Sequence, residues 1–391
     1  MRSFLLFFTI VFSVYALANY YILIRGWQAL PDVKWLRVAY VSLFLLLAAS
    51  FFSGRILERL WLGRLSEILV WTGSFWLAAM LYFILILVAV DLFRLMAGFW
   101  PESPKPPVST PLITETILRL RPYTMAGVIA GVALLIGAGY INARHPVVRE
   151  LSLNIERQQG PLREIRAVVM SDIHLGTIIS NERFSKIIDR VDALKPDIIL
   201  LPGDILDEDL EPLIRQNTGE VLRKLQAPLG VYGIMGNHEH IGGASAAWKY
   251  LQEHGIIMLR DTVVRVADSF YLIGREDRDK PRFSQSKRKE LKDLIALSDQ
   301  AFPLILLDHQ PYYLEKAAAL GIDLQLSGHT HHGQLWPLNL VTRAIFTLSR
   351  GYAQIDGMHA YVSNGVGTWG PPVRIGNRPE IVLLHIRFGP A

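Results

Sequence analysis

The chain has 391 residues, no cysteine and a formal net charge of +5, and 51% of its residues are hydrophobic. That length allows more than one domain, and the absence of cysteine excludes disulfides, thiolate zinc sites and cysteine nucleophiles together. The modest positive charge fits a protein that meets anionic membranes or phosphates but requires neither.

The apolar excess is concentrated in residues 1–141, which predict an all-α transmembrane domain of about four helices at 3–24, 36–52, 68–93 and 124–141. Arg25, Arg37, Arg55, Arg94, Arg121 and Arg144 lie near the ends of these runs, with Trp27, Trp35, Trp61, Trp71 and Trp100, as interfacial anchors do. Asp91, near the end of the third run, is placed to reach water or to pair with Arg94 one turn on. Gly127, Gly131 and Gly137 suggest close packing of the fourth helix. Ala16-Leu17-Ala18 resembles a signal cleavage site, but the apolar run continues to Ile24 and reads better as a span. The bias of Arg25, Lys34 and Arg37 over Arg2 favours an external N-terminus, and an even number of spans then places the C-terminal domain outside the cytoplasm too. Residues 101–111 are a Pro- and Ser-rich loop, and 112–120 form a short amphipathic stretch suited to the membrane surface.

Residues 142–160 connect to a domain at 161–391, with an alternating edge strand at 151–155. Compact apolar runs predict strands at 165–170, 197–201, 231–235, 304–307 and 324–326, with shorter ones at 256–259, 263–266 and 270–273 and closing strands at 360–363 and 381–388. Helical spacing recurs at 184–194, 213–225, 244–254, 287–297 and 313–320. Five of the strands run into polar turns that carry Asp172 and His174, Asp204 and Asp207, Asn237 and His238, His309, and His329 and His331. In α/β folds, such turns at strand carboxyl ends converge on one edge.

Asp172, His174, Asp204, Asn237, His309, His329 and His331 make seven oxygen and nitrogen donors. A thiolate-free set of this kind suits manganese, iron or zinc. Seven donors exceed one tetrahedral site and suit two divalent ions sharing a carboxylate, the arrangement that stabilises attacking and leaving oxygens in an in-line displacement at phosphorus. Each turn alone has a plainer reading: an Asp or His after a strand caps helices, and Gly203-Asp204 is a common turn. Paired imidazoles at a strand end have few structural uses, and the five turns in order point to chemistry.

This order, Asp-x-His, Gly-Asp-x-x-Asp, Gly-Asn-His-Glu, a lone His and Gly-His-x-His, resembles the calcineurin-like metallophosphoesterases over residues 163–388. The closing run, Asn364-Gly365-Val366-Gly367, then Pro371-Pro372-Val373-Arg374 and Arg378-Pro379-Glu380, resembles the branch of membrane-associated phosphodiesterases of the YkuE type. The resemblance implies an α/β four-layer (αββα) domain. It implies that Asp172, His174 and His331 hold one ion, that Asn237, His309 and His329 hold the other, and that Asp204 bridges them. It makes His238 a general acid over the leaving group, not a ligand, with Asp207 orienting the imidazole. The sequence departs from the pattern at His332, where many relatives have Gly and which either touches substrate or caps its loop, and mildly at Glu239, where Asp is more usual.

Other features carry less. The charged run from Arg275 to Lys289 reads first as a solvated loop, or else as a contact for phosphate or anionic headgroups. It lacks the aromatic interleaving of a nucleic-acid groove, so no nucleic acid is expected. Trp336 and Trp369 are either packed or form an apolar rim. His240 lines the pocket or the surface, while His145, His254, His359 and His385 have no motif support. Together these readings predict a membrane-anchored dinuclear-metal phosphoesterase acting on phosphodiesters, with a lipid-linked or envelope substrate suggested by the tether and membrane lipids as its surroundings. The alternatives are a phosphomonoesterase or protein phosphatase on a soluble substrate, a silent phospho-ligand binding module, and a transporter.

Overall fold

Helices α1 (Arg2–Ala29), α2 (Lys34–Leu60), α3 (Arg64–Gly98) and α4 (Pro111–Ala143) begin the chain. The computed structural model describes residues 2–98, 111–284 and 286–390, in two compact units, Met1–Ala138 and Gly139–Ala391. Among the described residues, four stretches are long and apolar enough to cross a membrane: Phe8–Ala29, Lys34–Leu60, Arg64–Met96 and Arg119–Ala143. Each helix outruns its predicted apolar segment, because the Arg and Trp residues that end an apolar run are not helix breakers. For the same reason, the surface stretch expected at 112–120 is instead the beginning of α4, continuous through Pro122.

Within the first unit one further expectation is corrected, and the expected pairing of Asp91 with Arg94 is found with closer partners added. A Cβ on Gly127, Gly131 or Gly137 would meet nothing within 4 Å among the described residues. The close approach is made instead by Gly73 and Gly54, where a Cβ would come within 2.2 Å of Phe51 N and 2.7 Å of Val70 N, so α2 and α3 pack backbone to backbone. Asp91 lies 3.9 Å from Arg94 but forms a closer ion pair with Arg25 and accepts from Tyr21 Oη at 2.6 Å. Its principal partners come from α1, and helix spacing alone gives no sign of a partner 66 residues away.

The second unit follows as β1 (Val147–Ile155), β2 (Glu164–Val169), α5 (Asn181–Ala193), β3 (Ile198–Pro202), α6 (Glu211–Arg215), α7 (Thr218–Leu222), β4 (Val231–Ile234), α8 (Asn237–Gly242), α9 (Ala244–Glu253) and β5 (Ile257–Met258). Then come β6 (Thr262–Val266), β7 (Phe270–Gly274), α10 (Lys280–Phe283), α11 (Leu291–Ile295), β8 (Leu304–Leu307), α12 (Leu314–Ala319), β9 (Leu324–Ser327), α13 (Leu338–Ile345), β10 (Gly351–Ile355), β11 (Met358–Val362) and β12 (Glu380–Phe388). They build two six-stranded sheets, β1-β12-β2-β3-β4-β5 and β10-β11-β9-β8-β7-β6. Both are mixed: β2, β3 and β4 run parallel, while β12 is antiparallel to β2.

The sheets face each other across one core. Ala167, Val169, Ile198 and Leu200 from the first meet Leu272, Ile305, Leu307 and Leu326 from the second. A second apolar layer, Leu291, Leu294, Leu314 and Ala317 of α11 and α12 against Leu304 and Leu306, covers the outer face of the second sheet. Phe184, Ile187, Ile188 and Val191 of α5 are buried as well. Strands covered on both sides read as continuous apolar runs, which is why β3 and β8 are buried at every position. The arrangement is the expected four-layer fold. The single helix predicted at 213–225 is broken into α6 and α7 at Asn217, which takes a left-handed φ of 55°, and the helix predicted at 287–297 is confined to Leu291–Ile295. Val147–Ile155, within the stretch expected to connect the domains, forms a nine-residue strand parallel to β12.

Candidate metal centre

The turns after β2, β3, β4, β8 and β9 meet at one edge of the two sheets. Their backbone is strained where the polar side chains sit: Asp172, His174, Asp204, His329 and His331 have φ of 51°, 52°, 50°, 70° and 45°. Left-handed backbone at non-glycine residues costs about 1–3 kcal/mol each and persists where surrounding packing enforces it, typically at functional sites. Glycines make room for the carboxylates. A Cβ on Gly236 would lie 2.1 Å from Asp204 Oδ1, and one on Gly328 would lie 2.2 Å from Asp172 Oδ2.

Among the described residues three clusters of potential ligands result: Asp172, His174 and His331; His174, Asp204 and His238; and Asp204, His309 and His329. His174 Nε2 lies 3.0 Å from His331 Nε2, and His331 Nε2 lies 3.5 Å from Asp172 Oδ1. On the other side, His309 Nε2 lies 3.1 Å from Asp204 Oδ2, and His329 Nδ1 lies 2.9 Å from Asn237 Oδ1. Asp204 Oδ2 is also 3.9 Å from His174 Nε2, so this one oxygen lies between the two groups. All seven residues expected to hold metal are therefore brought together.

The donor set fits cations. His309 Nδ1 lies 2.8 Å from Pro202 O, which can only accept, so Nδ1 carries a proton and Nε2 is the atom turned to Asp204; burial opposes a second proton, but Asp204, Asp172 and Asp277 outweigh it and raise the imidazole well above its ordinary value. His309 Nε2, facing a carboxylate oxygen at 3.1 Å, and Asp172 Oδ2 are both buried without a hydrogen-bond partner. Buried donors and acceptors of this kind are normally satisfied, and a cation satisfies both. Burial lowers His174 and His329 to about 3 and His331 well below its ordinary value, so three imidazoles are neutral, as ligands must be. Burial works to raise Asp204, but His309 and His238 beside it outweigh burial and hold the carboxyl well below the usual range.

His238 differs from the other histidines. Its Nδ1 is 3.5 Å from Asp207 Oδ1 and 3.9 Å from Glu208 Oε1, and its ring packs edge-on against His174 at 4.6 Å and near Trp369 at 5.7 Å. Burial opposes its protonation, yet Asp204, Asp207 and Glu208 raise it to about 9. His309 is likewise raised, by Asp204 and Asp172 against its burial, but it is fully enclosed; His238 is the raised imidazole that lies beside Trp369.

The supporting residues are less visible in the sequence. Glu239 accepts from Gly236 N at 2.7 Å and from Leu206 N at 2.8 Å, tying the turn after β4 to the turn after β3. His332 takes a φ of 46°, a glycine-favoured conformation, and its Nδ1 lies 3.1 Å from Ser349 Oγ, so it caps the loop. His240 is not a surface residue: it is buried, with Nε2 3.0 Å from Glu276 Oε2. Part of the basic run expected to be solvated is pinned down: Arg275 and Arg288 donate to the two oxygens of Asp308, at 2.8 and 2.9 Å.

Arg374 is the residue that sequence reasoning missed. It is fully buried. It donates through Nε to Gly367 O at 3.1 Å, through Nη1 to Asn377 Oδ1 at 3.0 Å, and through Nη2 to Asn364 O and Gly367 O at 2.8 Å each. Nη2 also lies 3.2 Å from His331 Nδ1, and Asn377 Nδ2 donates to His331 O at 3.0 Å. The closing run was legible only as a family marker; an arginine among glycines and prolines was its one chemical signal.

Residues 165–333 match the family model described as calcineurin-like phosphoesterase. An uncharacterized metallophosphoesterase of Aquifex aeolicus is 31% identical over 259 residues, 66% of this chain and 98% of that protein. The metallophosphoesterase YkuE of Bacillus subtilis is 31% identical over 67% of this chain and 95% of its own length. A transmembrane protein with metallophosphoesterase domain from Danio rerio is 31% identical over 65% of this chain, which spans 61% of that relative. The chain belongs to the calcineurin-like metallophosphoesterases, a family of metal-dependent phosphoester hydrolases, and it is a membrane protein.

Proposed function

We propose that this protein is a multispanning phosphodiesterase that hydrolyses a lipid-linked or envelope phosphodiester at a site for two divalent ions. Asp172, His174 and His331 would hold one ion, Asn237, His309 and His329 the other, with Asp204 between them. The observation that carries the reading is the position of Asp204 Oδ2, 3.1 Å from His309 Nε2 and 3.9 Å from His174 Nε2, shared by the two groups. When bound, such ions supply positive charge that favours ionised water and the developing charge on phosphoryl oxygens. The chain's own work is then positional. His238 Nε2 offers a proton to the departing oxygen, Asp207 and Glu208 keep the ring charged and oriented, and Trp369 shields one side of it from water. Four candidate spans and the exposed Trp336 and Trp369 support a substrate with an apolar part. The charge pattern around the first span favours a catalytic unit outside the cytoplasm.

The test uses the purified full chain in detergent, supplied with Mn2+, Fe2+ or Zn2+ and assayed on aryl diesters, aryl monoesters and short-chain phospholipids. Metal-dependent turnover with diester preference is expected, and His238→Ala should lower kcat by about 100-fold or more. Monoester preference would move the reading to a soluble phosphomonoester, and unchanged turnover in His238→Ala would remove it as the acid.

A further inference from the structure

We infer that the outward face of α13, together with Trp336, is a docking surface for a lipid bilayer. The helix reverses the usual polarity of a globular helix, whose apolar stripe faces the core. Asn339 and Thr342 are half-buried, and no residue of α13 is buried. Leu338, Leu340, Val341 and Ile345 are 40%, 57%, 53% and 55% exposed, and Trp336 just before them is 52% exposed. Single exposed apolar side chains are ordinary, but five grouped on one short segment form a patch that seeks an apolar phase.

The occupant follows from what lies beside the patch in the same unit. The apolar segment Arg119–Ala143 ends there. Gly139 O accepts from Arg374 N at 3.0 Å, and Asn142 Nδ2 donates to Arg374 O and Asn377 O at 2.9 and 2.7 Å. A Cβ on Gly139 would come within 2.7 Å of the Val373 and Ile375 side chains, so the contact is close along its length. Ile375 in turn accepts from Trp336 N at 2.8 Å and donates to Gln334 O at 3.0 Å. Two steps of backbone bonding thus join the end of a membrane-length helix to the first residue of the patch. An apolar surface held next to the point where the chain leaves lipid meets the bilayer before it meets a soluble protein. Exposed Arg343 on α13 and the interfacial character of Trp336 suit anionic headgroups.

Docking would set the mouth of the metal centre at headgroup level. Gln334, in the loop between His331 and Trp336, donates to Trp369 O and Pro371 O at 3.0 and 2.9 Å and accepts from Trp369 N at 2.9 Å. Trp369 is 53% exposed with its ring 5.7 Å from that of His238, so Gln334 ties the segment that leads into the patch to the loop that holds an exposed indole beside the acid. A phosphoester in the membrane plane could then reach the site laterally; this consequence rests on the phosphoesterase reading, whereas the docking itself does not.

The chain has no cysteine, so single labels are clean. Leu340→Cys carrying a nitroxide, in the full chain in nanodiscs of phosphatidylcholine and phosphatidylglycerol, should collide with oxygen more than with a water-soluble nickel chelate. Leu297→Cys, at a position 65% exposed, serves as the aqueous reference. Equal nickel access at both sites would overturn the docking, and so would a Leu340 label shielded from both reagents, which would mean a protein cover. In a second readout, Leu340→Ser combined with Val341→Ser should lower turnover of a vesicle-borne phospholipid about tenfold relative to a soluble aryl diester. An unchanged ratio would refute the role of docking in substrate access. Absence of turnover on either substrate by the unaltered protein would sink the phosphoesterase reading while the label still reported on the membrane.

Discussion

Replacing Arg374 with lysine keeps the charge and removes the fork. The guanidinium serves Gly367 O twice, Asn377 Oδ1 and Asn364 O, all within 3.1 Å and all buried. A lysine ammonium is a single point with three protons and cannot span these acceptors. At least two of them lose a charged donor, and hydrogen bonds to charged groups contribute about 1.5–3 kcal/mol each, so the expected loss is about 3–6 kcal/mol. For a unit of this size, a loss on that scale lowers Tm by roughly 10 °C. Through Asn377, Arg374 also holds the backbone of the His331 loop. Loss of such support typically weakens metal affinity 10- to 100-fold. Both effects are measurable on the full chain in detergent, the first by tryptophan fluorescence on heating and the second by Mn2+ titration calorimetry well below the melt. A variant that unfolds within about 2 °C of the parent and binds Mn2+ equally would show that the fork is dispensable, and the reasoning from buried acceptors would fail.

Three further outcomes are expected. Asp207→Asn removes one of the carboxylates that raise His238; because an acid works only while protonated and is lost as pH rises through its pKa, the alkaline limb of the pH–rate profile should move down by roughly one to two units, and an unmoved limb would exclude Asp207 as the orienting partner. Gly236→Ala puts a methyl within 2.1 Å of Asp204 Oδ1, which should cost about 1–3 kcal/mol and displace the shared carboxylate; activity and Mn2+ affinity that stay at the parental level would contradict the geometry. Chelation should lower Tm, because ions at 100 times their Kd stabilise the folded state by about 2.7 kcal/mol, and readdition of Mn2+ should restore it; a melt indifferent to chelator would argue against a metal centre at this edge.

The sequence alone was enough for the four apolar stretches, the strand-and-turn rhythm and the seven donors, for a physical reason: each is a local pattern. A bilayer demands length and apolarity within one segment, a doubly covered strand demands a continuous apolar run, and a ligand at a strand end must sit within a few residues of it. The closing run showed its residues without their use, since a buried arginine among carbonyls contributed by Asn364, Gly365 and Gly367 exists only once β11 and β12 have brought them together. Tertiary structure likewise decided that Asp91 pairs with Arg25, that Gly54 and Gly73 take the packing role suggested for the fourth helix, and that His240 is sealed against Glu276. It also set the polarity of α13. Leu338, Val341 and Ile345 are spaced like any helix stripe bound for a core, and composition cannot say that the stripe faces outward. Periodicity reports that a face is apolar; only the packing around it tells which phase that face meets.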